Sequence, residues 1–156
     1  DYLEKLVKLL KTNGEIIITT PNKNDVISDI WLIDSYKKFM IEEHVANYFS
    51  VNSTLNLCKN LKNITFKVQT KQEYSFFNHL RWYFTNQPFT TGIVGGDKLS
   101  ENINSQIAKG RLYNNQDLDI SKKVINLISD TDKKYKKIIE DNLAGNKIII
   151  SIKKEK

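Results

Sequence analysis

Cysteine is nearly absent. Cys58 stands alone, so no disulfide can close within the chain, and with two histidines there is no Cys/His group spaced for zinc. That scarcity points to a reducing, cytoplasmic setting without a structural metal. Long apolar runs are missing too: none approaches the ~20 residues of a membrane-spanning helix, so no membrane span is expected. Asp1 opens directly into a helical pattern without a basic, apolar leader. The missing start methionine suggests a piece cut from a longer protein. Glycine (six) and proline (two) are too few for a fibrous or low-complexity chain, and no internal repeat is visible.

What is present is the balance of one soluble domain: 156 residues, 40% hydrophobic and 27% charged, enough to bury a core. The net charge of +6 is compatible with nucleic acid or an anionic surface and leaves nucleic acid open as a partner. The lysines are scattered, densest at Lys133, Lys134, Lys136 and Lys137 and at Lys153, Lys154 and Lys156. Solvated faces are the simpler reading.

Leu3, Leu6, Val7, Leu9 and Leu10 recur at helical spacing, predicting an amphipathic helix over 2–11 that Asn13-Gly14 ends. The β-branched run at 15–20 is continuous, the pattern of a strand buried on both faces of a parallel sheet, and Pro21-Asn22 stops it. Residues 25–40 suggest one helix or two short ones, and 42–50 a connecting loop. Ser50 is a good N-cap for a helix through about Leu61. A strand with alternating apolar residues follows at 64–69. Residues 74–84 are aromatic almost all round, and Pro88, Gly92 and Gly95-Gly96 break the pattern into loop. Helical stretches are expected over 97–109 and 121–142, and a last strand over 147–152 after Gly145-Asn146.

These residues carry a resemblance. Leu9-Leu10-Lys11-Thr12-Asn13-Gly14, the strand after it and Thr20-Pro21-Asn22 are similar to the helix–turn–fifth-strand passage of class I methyltransferases dependent on S-adenosylmethionine (SAM), with Thr12 and Asn13 in place of the usual proline and first glycine. Glu43-His44-Val45, then Tyr48-Phe49-Ser50 and a helix, resembles the passage before the sixth strand. Gln72-Glu73-Tyr74, Asn78-His79-Leu80 and Trp82 resemble a passage of bacterial members, although the loop after it does not match closely. Tyr135 to Ile139 and Lys147 to Ile152 resemble the last helix and the antiparallel seventh strand.

The resemblance implies an α/β fold: the C-terminal part of a Rossmann-like methyltransferase sheet, strands 5, 6 and 7, with the last antiparallel and lying between the other two. Residues 74–142 would be a mostly helical excursion before it. It also implies methyl transfer from SAM by direct displacement at the sulfonium, where positioning contributes most. The glycine-rich loop and ribose-binding acid of the family precede this region, and Gly92 to Gly96 lacks the spacing to replace them. Cofactor-binding residues are therefore expected in a missing N-terminal half, the first partner. The acceptor, by analogy, is a surface glycan or small metabolite.

Among candidate site residues, His44 has the chemistry of a general base for a hydroxyl acceptor; a loop histidine tying Glu43 or a carbonyl is the alternative. Asn22, Tyr74, His79 and Trp82 are candidates for acceptor contact. Against that, Pro-Asn is ordinary turn chemistry, and His79 and the aromatics also suit a packed core or a homodimer contact. Glu42 and Glu43 are adjacent and point different ways on a regular element, which argues against an acid/base pair. A noncatalytic interaction module with an exposed sheet edge, and an RNA-binding module using lysines and aromatics, are the readings from other classes.

Overall fold

A computed structural model describes residues 2–40, 47–87 and 115–154. In chain order these form α1 (Tyr2–Leu9), β1 (Glu15–Pro21), α2 (Val26–Asp29), α3 (Asp34–Phe39), α4 (Val51–Lys59), β2 (Ile64–Lys71), α5 (Phe76–Thr85), α6 (Asn115–Asp141) and β3 (Lys147–Lys154). The expected helix over 97–109 and the glycines at 92, 95 and 96 lie outside the described residues.

The fold is mixed α/β around a three-stranded sheet in the order β1-β3-β2. β3 is antiparallel to both neighbours, so the chain's last strand does lie between the other two. The described sheet has no parallel neighbours and is not by itself a doubly wound parallel sheet. The connection from β2 to β3 is mostly helical in its described residues.

Register explains the core. Ile16, Ile152 and Phe66 stand side by side across the strands, as do Ile18, Ile150 and Val68. α1 and α4 cover this face, placing Leu3, Val7 and Cys58 against Ile148, Ile150 and Ile152. α1 stops at Leu9, two residues short of the expected end at 11, and Asn13 turns the chain with φ 65°. Asparagine tolerates that left-handed conformation, so it can make the turn without a glycine at that position. α4 begins where Ser50 predicts: its hydroxyl accepts from the Ser53 N–H while the Ser53 hydroxyl accepts from the Ser50 N–H, a reciprocal cap.

One expectation is corrected. β1 is not buried on both faces, because Ile17 is 64% exposed. Its face carries Glu15, Thr19, Ser151 and Lys67, and among the described residues no hydrophobic cluster includes Ile17. A continuous apolar run reports β propensity and not which faces are covered; among the described residues β1 lies at the edge of the three-stranded sheet, with helices packed on one face.

A second core, Val26, Ile27, Ile33, Tyr36, Trp82 and Ile139, joins α2, α3, α5 and α6. Residues 25–40 form two short helices, separated by Leu32 at φ 55°. The aromatic segment splits its rings between Trp82, 2% exposed in this core, and Tyr83 and Phe84, which face solvent.

Candidate functional site

The carboxyl ends of β1 and β2 and the start of β3 meet at one edge, where Gly145-Asn146 acts as a hub. The Asn146 carbonyl accepts from the Asn22 N–H (2.9 Å), and its side-chain oxygen accepts from the Glu73 N–H (2.8 Å). The Asn146 N–H donates to Gln72 Oε1 (3.2 Å), and the Gly145 N–H to Thr70 Oγ1 (3.2 Å). Gly145 is needed for close approach: a Cβ there would lie 2.7 Å from the Lys71 carbonyl oxygen.

Asn22, 2% exposed, is built into this edge. Its Nδ2 donates to the Gly145 carbonyl (2.9 Å), and its Oδ1 accepts from the Asn24 N–H (3.1 Å), an Asx turn that bends the chain out of β1. Beside it, the Lys23 N–H donates to the Phe49 carbonyl (2.7 Å), and Asn22 bridges to Phe49 as a short parallel pair. The result is a cleft of about 530 Å³ at the end of β1, with Pro21, Met40 and Tyr48 on its apolar side and Lys23, Lys37 and Asp29 around it.

A buried polar network stands behind the edge. Asp25 caps α2 by accepting from the Ser28 N–H and also accepts from the Tyr36 hydroxyl. Burial pushes both groups above their ordinary pKa: the Asp25 carboxyl because charge is desolvated, and the Tyr36 phenol because it is desolvated and faces Asp25.

His79 is 1% exposed. Gln72 orients it. Since Gln72 Oε1 accepts from Asn146 and Gln72 Nε2 donates to the Tyr74 carbonyl (2.9 Å), it is an N–H that meets His79 Nε2 at 3.1 Å. His79 Nε2 is then the acceptor, and Nδ1–H donates to the Tyr135 hydroxyl at 2.6 Å. Both ring nitrogens are engaged in the neutral form, and burial lowers the pKa to about 4, opposed by Asp132 and aided by Lys136. Burial likewise raises the Tyr135 phenol. Trp31 closes the group with its ring nearly perpendicular to those of His79 (5.9 Å) and Tyr135 (6.4 Å).

Trp82 packs edge-on against Tyr36 at 5.2 Å. Tyr74 is half-buried and borders a second groove of about 720 Å³, where Lys133, Lys136 and Lys137 alternate with Glu73, Glu140 and Asp141. The structure therefore brings Asn22 to the β1 cleft and Tyr74 to the second groove, and packs His79 and Trp82 into the core. His44, with Glu42 and Glu43, lies outside the described residues; Met40 and Tyr48, on either side of that segment in sequence, both line the β1 cleft.

Sequence reasoning missed Asp25, Gln72 and Asn146 as organisers of this edge. Asp25 before apolar Val26-Ile27 carries an N-cap signal; the other two act through long-range contacts with no local signature. Asn78 Oδ1, buried in α5, has no hydrogen-bond partner among the described residues.

For SAM the fit is poor. Among the described residues, the one acid buried near the end of β1, Asp25, is committed to Ser28 and Tyr36, and no described strand runs into a glycine-rich loop. These residues do not make a holder for the cofactor. Compared with protein-family models, curated proteins and solved structures, the chain matches none.

Proposed function

We propose that this chain is the C-terminal, acceptor-side part of a class I SAM-dependent methyltransferase, whose N-terminal half holds the cofactor. The observation that carries the reading is the sheet: two strands of like direction with the chain's last strand antiparallel between them, the arrangement that the sequence resemblance implies for strands five, seven and six. The polar loop and cleft at the carboxyl end of β1 add support, since ligands of α/β sheets bind at such ends. The acceptor is a small metabolite or surface glycan, and His44, joined by chain to cleft-lining Met40 and Tyr48, is the proposed general base.

The test is turnover by the full-length protein. His44→Ala should lower methyl transfer at least about tenfold, while SAM affinity and melting temperature stay unchanged. Loss of stability with activity per folded molecule intact would make His44 structural.

A noncatalytic interaction module is the second reading. It is favoured by Ile120, Val124 and Leu127, exposed at helical spacing along α6. The RNA reading draws less support: in the second groove, Lys137 pairs with Asp141 (2.9 Å), and nearby Lys147 pairs with Glu73 (2.7 Å), so cations there are matched by acids.

A further inference from the structure

The β1 cleft and the second groove differ in how their charges are met. In the groove, lysines and carboxylates neutralise one another, with Lys136 held by Asp132 at 3.0 Å and Lys137 by Asp141 at 2.9 Å. Among the described residues, the one carboxylate lining the β1 cleft, Asp29, accepts from Asn24 Nδ2 at 2.8 Å. Lys23 has no carboxylate within ion-pair distance among the described residues. Among those residues Lys37 has only Asp34, at 3.8 Å and 88% exposed. Two lysines thus face a cleft whose remaining wall includes Pro21, Met40 and Tyr48.

The backbone under the lysines is held firmly. Lys23 is pinned by its N–H to the Phe49 carbonyl and follows Asn22, which is locked to Gly145; α3, which carries Lys37, is anchored by buried Tyr36 on Asp25. A cleft with an apolar wall and a few positioned polar groups binds an amphiphilic small molecule, and ammonium groups favour a charge-assisted bond to an oxyanion.

Resting on the reading of this cleft as the acceptor side, we propose that it takes a small organic anion: a carboxylate carried on an aromatic or apolar body, with the Lys23 and Lys37 ammonium groups meeting the charge. The body would lie along Met40, Tyr48 and Pro21. A neutral molecule of the same shape would gain the apolar contacts alone.

Calorimetric titration of the full-length protein with benzoate and with benzyl alcohol, in the absence of cofactor, tests this. Benzoate should bind more tightly than benzyl alcohol, and the preference should shrink as salt is raised. The double variant Lys23→Gln, Lys37→Gln should weaken benzoate about fivefold, leave benzyl alcohol unchanged and keep the melting temperature. Equal affinity for the two probes, or benzoate binding that the double variant does not alter, would overturn the proposal. So would benzoate binding that appears only after Glu42→Gln and Glu43→Gln, since the lysines would then be occupied from within. Because the readout needs no turnover, a protein that binds benzoate through these lysines but transfers no methyl group fails the functional reading alone. A methyltransferase that binds both probes alike fails this one alone.

Discussion

Under α1 and α4 the sheet face is mostly apolar, with Ile148, Ile150 and Ile152 beside Leu3 and Val7 and only threonines as buried polar residues, whereas the layer of α2, α3, α5 and α6 buries Asp25, His79 and Asp132 among its rings. The first region is held by area removed from water, which has no direction and tolerates small shifts. The second is held by hydrogen bonds that have one geometry and lose much when a partner leaves. The difference teaches where precision lies in this fold: the polar layer sets the position of the Asn22 turn, Lys23 and α3, and so of the cleft.

Cutting into the apolar region should cost the most. Ile148 is fully buried between Thr20 and Thr70, and Ile148→Ala should destabilise by about 4 kcal/mol, read by denaturant unfolding. A loss under about 1 kcal/mol would mean that this face is not a packed core. Gly145→Ala attacks the hub where the two regions meet. Its Cβ would press on the Lys71 backbone, and a loss of about 3 kcal/mol is expected.

The polar region should also answer to pH, as the apolar one cannot. The folded pKa of His79, about 4, lies below its ordinary 6.5, so the folded state resists protonation. Its contribution is complete above pH 6.5 and is lost as pH falls toward 4, a loss of about 2 kcal/mol between pH 7.5 and pH 5. The raised Asp25 carboxyl works in the other direction, with stability lost as pH rises through its folded pKa. Comparing the pH dependence of His79→Gln with that of the parent isolates the histidine: the parent should lose stability more steeply across that window, and identical slopes would place His79 in contact with water. Smallest is the α4 cap, where Ser50→Ala should cost about 1 kcal/mol without altering the sheet.

The same division decides what could be read in the sequence. All three strands, helix between residues 25 and 40 (though not whether one or two), and the Ser50 cap were legible, because periodicity, β-branched runs and capping residues are local signals. The central place of β3 came from the resemblance and stands in the sheet. Coverage was not legible: Ile16 and Ile17 look alike in sequence, yet one packs on the core and the other is exposed. At the candidate site, Asn22 could be placed at the end of β1, but the closure of its side chain on Gly145, 123 residues away, could not. His79 and Trp82 sat in an aromatic stretch with no single face, and only the contacts to Gln72, Tyr135 and Tyr36 assign them to the core.

The most direct test of the proposed role is calorimetric titration with SAM of the full-length protein and of residues 1–156 alone. The full-length protein should bind, and the shorter chain should give no measurable heat, because Asp25 is occupied and no described loop offers the cofactor a seat. Micromolar binding by residues 1–156, or no binding by the full-length protein, would contradict the account.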